Sequence, residues 1–251
     1  RQTFGTTPGA VAVEIFFIVS GMLLTFSLLQ RRSTWGFVRA RALRIYPGLL
    51  VAVGLTVFVL GPLFTTLDLA TYFQSRTTWK HLITNGLAFL NLEFNLPGVF
   101  QDNPWPGAIN GSLWTLRSEL FAYAILLGAW VLASLLGGAQ VFRVVTVLIF
   151  IACLGWRLVH LGREPLEHDV MRLFLAFFTG SAMCVFGHRI RLWNGLFVAA
   201  VAVMVAGAFV PSIFPWAYTF SLPFIVAWLA YVPEGPVRLY NRLGDYSYGT
   251  Y

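Results

Sequence analysis

Seven stretches of mostly apolar residues fill this 251-residue chain, and they restrict its fold more than any other feature of the sequence. A helix that crosses the hydrocarbon core of a bilayer needs ~20 such residues. The stretches cover residues 11–30, 43–61, 113–135, 141–161, 170–187, 193–210 and 214–232, and an eighth opens near Tyr246 and is cut off at Tyr251. They carry no usable 3.6-residue period, as expected where both faces of a helix meet lipid or a greasy bundle. Strand-like alternation does not interrupt them, so a β-barrel is not expected. The predicted fold is an all-α, polytopic transmembrane helix bundle forming a single domain over residues 1–251.

Charge supports the same class. Only 11% of the residues are charged and 58% are hydrophobic, against about 25% charged in a soluble domain. That excludes a disordered chain, a fibrous protein and an ordinary cytosolic enzyme. Two cysteines exclude a disulfide scaffold and a CxxC metal site. The net charge of +7 comes from 17 basic residues, of which Lys80 alone is a lysine. In so apolar a chain this excess points to basic cytoplasmic loops, and no nucleic-acid partner is expected. Arg31, Arg32, Arg39, Arg41 and Arg44 crowd the first connection. Arg143 lies in the third, Arg189 and Arg191 in the fifth, and Arg238 and Arg242 in the seventh. The even connections hold Asp68, Glu93, Asp102, Glu164, Glu167 and Asp169. The odd connections are therefore expected in the cytoplasm. On that topology the chain enters from outside before Val11, and it reads as a fragment clipped at both ends, preceded by at least one earlier span.

The longest connection, 62–112, is expected to be extracytoplasmic. Leu96-Pro97-Gly98, Asn103-Pro104 and Trp105-Pro106-Gly107 punctuate it with turns, and residues 81–91 suit a short interfacial or re-entrant helix. Loops of this length in compact domains are usually functional.

Ionisable groups at membrane depth are expensive and need a reason. Glu14 fits either an interfacial carboxylate at a helix N-terminus or a buried acid that orients a base on a neighbouring helix. Arg41 and Arg44 lie three apart and project from one helix face. They serve topology, or they bind phosphate with their guanidinium forks. Ser112 with Thr115 resembles an N-cap region, and Trp114 fits an interfacial aromatic belt. Glu119, about two turns into its span, needs a partner on another helix or water in a cavity, and it is expected to face the bundle interior and to share a polar cavity with Glu14. Arg157, His160, Arg163, His168 and Arg172 ring the outer ends of the fourth and fifth spans, where they bind an anionic extracytoplasmic substrate or, the favoured reading, snorkel to the interface; His188 is read as topogenic, and Cys153 and Cys184 as packed small residues.

At these residues the chain resembles the acyltransferase-3 family of integral membrane O-acyltransferases. Val13-Glu14-Ile15-Phe16-Phe17-Ile18-Val19-Ser20-Gly21-Met22 is similar to the family's G-V-D-x-F-F-x-x-S-G-F/M block, with Glu14 where Asp is commoner. Arg41-Ala42-Leu43-Arg44-Ile45-Tyr46-Pro47 is similar to R-x-x-R-I-Y-P. Leu96-Pro97-Gly98-Val99-Phe100, Asn103-Pro104 and the run from Asn110 through Ser112, Trp114 and Arg117 to Glu119 resemble its loop and N-G-S-L-W-T-L-x-x-E block. Residues 243–251 resemble the start of a further family helix.

The resemblance implies transfer of an acyl group, commonly acetyl, from cytoplasmic acyl-CoA to a hydroxyl of an extracytoplasmic or lipid-linked glycan. The protein would then be a multi-pass protein of a bacterial inner membrane. It implies Glu14 and Glu119 as catalytic residues, Arg41, Arg44 and Tyr46 at the CoA, and Asn110, Ser112 and Trp114 at the acceptor. No metal is expected, because a thioester is already an activated acyl donor. The family's catalytic histidine lies on a helix preceding Val11, so the chain as it stands is expected to be inactive. Two other classes stay open. A secondary transporter or flippase would also bury charge on broken helices, and a structural membrane partner would leave Glu14 and Glu119 facing solvent.

Overall fold

The computed structural model describes residues 7–89, 91–103, 107, 109–160, 170–187 and 189–232. The expected eighth span near Tyr246 and the block at 243–251 lie outside the described residues. So do Pro104, Trp105, Pro106, Arg163, Glu164, Glu167, His168, Asp169, His188, Arg238 and Arg242.

The described residues are mostly helical, with no strand among them. Their β pairing is a single antiparallel bridge between Thr65 and Val99. The helices are α1 (Pro8–Arg31), α2 (Thr34–Leu55), α3 (Gly61–Phe64), α4 (Leu69–Gln74), α5 (Arg76–Leu87), α6 (Leu113–Leu136), α7 (Ala139–His160), α8 (Met171–Phe186), α9 (Asn194–Ala208) and α10 (Phe214–Tyr231). A π turn, Thr56–Leu60, joins α2 to α3 and makes one continuous helix of Thr34–Phe64. A helix stands at each of the seven expected spans. Four are long and apolar enough to cross a membrane: Pro8–Arg31, Thr34–Phe64, Leu113–Leu136 and Ala139–His160. Helices α8 and α9 have 16 and 15 residues, so at 1.5 Å per residue they reach about 24 and 22 Å. They are shorter than the stretches 170–187 and 193–210 suggest. Leu23, Leu55, Leu135 and Leu148 remain exposed on the long helices, as side chains facing lipid do.

The chain forms two compact units, whose described parts are residues 7–34 with 124–232 and residues 35–123. In the first, α8 packs on α1 and α7, and α10 packs on α9 and touches α1 and α8. Helix α1 starts where Thr7 caps it, its side chain accepting from the Ala10 N–H at 3.3 Å, with Pro8 in the first turn. It stops at Arg32, whose left-handed φ of 49° breaks the helix. Helices α1 and α8 meet backbone to backbone at Gly21 and Gly180, where neither has room for a Cβ. The Ser181 hydroxyl donates to the Gly21 carbonyl at 3.2 Å. Small residues and a hydroxyl at the crossing are the usual means by which membrane helices approach closely. The pairing of residue 14 with 172 at one end, and of Gly21 with Ser181 further on, makes α1 and α8 parallel.

In the second unit, the segment after α3 folds back along α2. Val57, Tyr72, Leu96, Val99 and Ile109 form one core, in which the Tyr72 hydroxyl donates to the Val57 carbonyl at 2.9 Å. Gly98, at a φ of +71°, turns the chain so that its carbonyl accepts from the Thr66 N–H at 2.9 Å. Helix α5 starts at Arg76, earlier than the expected 81–91, because Ser75 caps it. It ends beside the middle of α2, where the Tyr46 hydroxyl donates to the Leu87 carbonyl at 3.1 Å. Leu49, Val53, Ala88 and Leu120 form a second core there, with Ile45, Leu113 and Leu116 packed against it. Helix α6 therefore begins partway along α2.

Candidate functional site

In the first unit, Glu14 lies in the second turn of α1 and is buried at 6% exposure. Its Oε1 accepts from Arg172 Nη1, on the first turn of α8, at 3.0 Å. Arg157, near the end of α7, is 2% exposed, and its charge also bears on Glu14. The Tyr218 hydroxyl, on α10, approaches the same carboxylate without closing a hydrogen bond of good geometry. These four groups line a small, partly open cavity with Ile18, Thr179 and Leu222. It sits at the end of the unit where α1, α8 and α10 start and α7 ends.

This corrects the reading of Arg157 and Arg172 as snorkelling residues. Snorkelling would carry their heads outward, yet both are almost wholly buried. The glycine contact sets α1 against α8 so closely that Arg172 meets Glu14, and α7 on the other flank of α8 brings Arg157 to the same cavity. His160 instead stacks on Trp156 with ring centroids 4.0 Å apart. The sequence held a partial signal, because two arginines and one glutamate stand inside apolar runs and need partners. Nothing in it says which partners. Glu14 is buried and ion-paired, so of its two readings the interfacial carboxylate is set aside.

In the second unit, Glu119 is 9% exposed and accepts a hydrogen bond from the Tyr123 hydroxyl one turn further along α6. Tyr123 in turn packs edge-on against Phe37. The positive charges of Arg44 and Arg41 bear on the Glu119 carboxylate, and neither arginine forms an ion pair among the described residues. Arg41 Nε is buried without a hydrogen-bond partner, whereas Arg44 is exposed. The returning segment explains the grouping. Because α6 starts beside the middle of α2, its second and third turns reach the level of the arginines. Tyr46, one turn past Arg41, is tied to Leu87 as described.

Asn110, left-handed at a φ of 55°, donates from Nδ2 to the Thr56 hydroxyl at 2.8 Å. Thr56 is 12 residues beyond Arg44, roughly 18 Å along the helix. The structure thus separates Asn110 from the Glu119 cluster, although nine residues divide them in sequence. Ser112 and Trp114 are exposed at the start of α6. The Thr115 hydroxyl donates to the Ser112 carbonyl at 3.1 Å, whereas the expected cap at this end runs from the side chain. Sequence reasoning misses Tyr123, and its spacing of four from Glu119 on one helix face is the signal that would find it.

A membrane helix bundle with buried carboxylate–arginine clusters belongs, by its sequence, to a family of known chemistry. The acyltransferase-3 profile, described as an acyltransferase domain, matches residues 1–251, and the chain is a member of that family and an acyltransferase. It is similar to the "O-acetyl transferase" of Shigella phage Sf6, with 27% identity over 251 residues, covering 97% of this chain and 72% of that protein. No solved structure matches it.

Proposed function

We propose that the protein is a membrane O-acyltransferase that moves an acyl group, typically acetyl, from cytoplasmic acyl-CoA to a hydroxyl of an extracytoplasmic or lipid-linked glycan. The observation that carries this reading is the cluster of Arg41 and Arg44 beside Glu119. Two guanidiniums with no fixed carboxylate partner, one with a buried Nε–H unused, suit the phosphates of CoA, which an arginine fork binds bidentately. The Sf6 protein's name supports acetyl as the group transferred.

In the reaction the acceptor oxygen attacks the thioester carbonyl carbon. The C–O bond forms, the C–S bond breaks, the hydroxyl proton passes to a base, and CoA leaves as its thiol. Arg41 and Arg44 hold the CoA phosphates, and Tyr46 forms part of the wall beside them. Glu119, fixed by Tyr123, positions the two arginines beside it. Glu14, fixed by Arg172, orients the group that takes the proton. Asn110, Ser112 and Trp114 receive the acceptor. The basic run from Arg31 to Arg44 faces the cytoplasm of a bacterium and the loop 62–112 faces outward.

Full-length protein in membranes, incubated with acetyl-labelled CoA and lipid-linked glycan, is expected to transfer label covalently. Arg41→Ala and Arg44→Ala should each raise the KM for acetyl-CoA about tenfold or more, since a hydrogen bond to a charged group contributes about 1.5–3 kcal/mol. Arg31→Ala should not. Uptake of label without covalent transfer, or equal KM in all three variants, overturns the reading.

A further inference from the structure

Arg117 stands in the second turn of α6, on a face that stays open. Trp114 and Phe121, three residues before and four after it, share that face and are 36% and 38% exposed. Phe121 meets Phe89, just past the end of α5, edge-on with ring centroids 6.1 Å apart. Phe89 and Leu87 are exposed in turn, so side chains from α6 and from the end of α5 form one apolar shelf beside the arginine. The guanidinium carbon lies 5.6 Å from the centre of the Phe121 ring. Its Nε is buried without a hydrogen-bond partner, and Arg117 forms no ion pair among the described residues. Glu119 does not neutralise it. That carboxylate lies roughly 160° away round the helix, bonded to Tyr123 and under the charges of Arg41 and Arg44.

A cation–π contact offsets only part of what a guanidinium loses on leaving water, and it uses none of the N–H donors. The partner those donors lack is an anion with acceptor oxygens, which an arginine fork binds bidentately. The shelf decides how that anion is carried. A small aqueous anion would shed its water beside exposed aromatic rings and gain nothing from them, whereas an amphiphile lays its chain on them. Arg117 lies about 6 Å along α6 from Leu113, within reach of the headgroup layer for so long a side chain. On the topology proposed above, that end of α6 meets the outer leaflet. Phe121 is then deepest, Arg117 next and Trp114 outermost, which is the order of chain, phosphate and sugar in a lipid-linked glycan.

We propose that Arg117 binds the phosphate joining the acceptor glycan to its lipid, with the lipid chain along Phe121, Phe89 and Leu87 and the first sugar at Trp114. The inference rests on the reading of the chain as an acyltransferase with a glycan acceptor, and of the two acceptors in that reading it selects the lipid-linked one. The Phe121 ring holds the guanidinium in place for the phosphate. Arg117 is thereby a substrate-binding residue separate from the Arg41 and Arg44 pair assigned to the donor.

The test uses full-length protein in phosphatidylcholine nanodiscs, titrated with radiolabelled farnesyl phosphate. Farnesol, inorganic phosphate and phosphatidylglycerol serve as competitors. Farnesyl phosphate should bind saturably, and each competitor should displace it at least about tenfold less effectively than unlabelled farnesyl phosphate does. Arg117→Gln should weaken farnesyl phosphate about tenfold or more, because hydrogen bonds to a charged group are lost. Arg117→Lys keeps the charge and loses the fork, and should weaken it less. In acyl transfer to lipid-linked glycan, Arg117→Gln should raise the KM for the acceptor and leave the KM for acetyl-CoA unchanged. Equal affinity for farnesyl phosphate in the wild type and Arg117→Gln overturns the proposal. Phosphatidylglycerol competing as well as farnesyl phosphate also overturns it, since the site is then a contact for bulk lipid. Inorganic phosphate competing as well does the same, since the site then takes a soluble anion. Acetyl-CoA titrated into the same nanodiscs reports the donor site separately. Its binding with no response to farnesyl phosphate refutes this inference alone, and the reverse pattern refutes the acyl-CoA reading. If Arg117→Gln fails to fold, Arg117→Lys decides, and wild-type affinity in that variant overturns the proposal.

Discussion

Adding one methyl group at Gly180 or Gly21 is expected to disrupt the first unit more than any other alanine substitution of similar size. A Cβ on Gly21 would stand 1.9 Å from the Phe177 carbonyl oxygen and 3.1 Å from the Ser181 nitrogen. A Cβ on Gly180 would stand 1.9 Å from the Ile18 oxygen and 3.1 Å from the Met22 nitrogen. All four are backbone atoms inside helices, so no side chain can rotate away. Ordinary contact begins near 3.4 Å, and α1 and α8 must separate by roughly 1.5 Å, a shift that takes the Ser181–Gly21 hydrogen bond from 3.2 Å out of range. Overpacking of this kind costs about 1–3 kcal/mol, and the Ser181 hydroxyl keeps the Phe177 carbonyl of its own helix as an acceptor at 3.1 Å. For a chain of this length, that cost corresponds to a fall of about 2–12 °C in the unfolding midpoint. Because Glu14 and Arg172 ride on the same two helices, their 3.0 Å contact should loosen too, and acyl transfer should fall with stability. Thermal unfolding of the purified variants in detergent measures the first effect. A methyl carbon placed on Gly9, on the same α1, would meet nothing within 4 Å, so Gly9→Ala is the control and should lose nothing. If Gly21→Ala and Gly180→Ala unfold at the same temperature as Gly9→Ala, the glycine crossing is not what sets these helices together.

Two further outcomes follow from buried charge. Removing Glu14 should destabilise the protein by about 3–5 kcal/mol, because Arg172 is left buried without its carboxylate, and removing Arg172 should cost less, because the charge of Arg157 still bears on Glu14. The Glu14→Leu/Arg172→Leu double variant should lose less than the sum of the single changes, and additive losses in denaturation midpoints would contradict the pairing. His81, fully buried in α5 near Glu93, is held by burial below its ordinary pKa of 6.5. The unfolded chain therefore binds the proton more readily. The stability His81 contributes is complete above about pH 6.5 and is lost as pH falls below it. Unfolding midpoints should drop between pH 7.5 and 5.5, and His81→Gln should flatten that slope even if it lowers stability at every pH.

Much of the architecture was legible in the residues alone. An apolar run near twenty residues becomes a helix in a bilayer because each buried backbone group must find its partner within the segment, whatever the tertiary context, so all seven helices stand where the runs lie. The paired arginines and the blocks around Glu14 and Glu119 were likewise readable, since their chemistry depends on residue type and local spacing. The partners of the buried charges were not. Apolar helices with no period give no sign of which face turns inward, so the bond from Arg172 to Glu14, 158 residues apart, and the inward turn of Arg157 needed the packing of α1, α7 and α8. Glu119 joined Arg41 and Arg44 only because the segment after α3 folds back along α2 and starts α6 beside its middle. Depth in a bundle is fixed by where the neighbouring helices end, and that is a property of the assembled unit rather than of any one run of sequence.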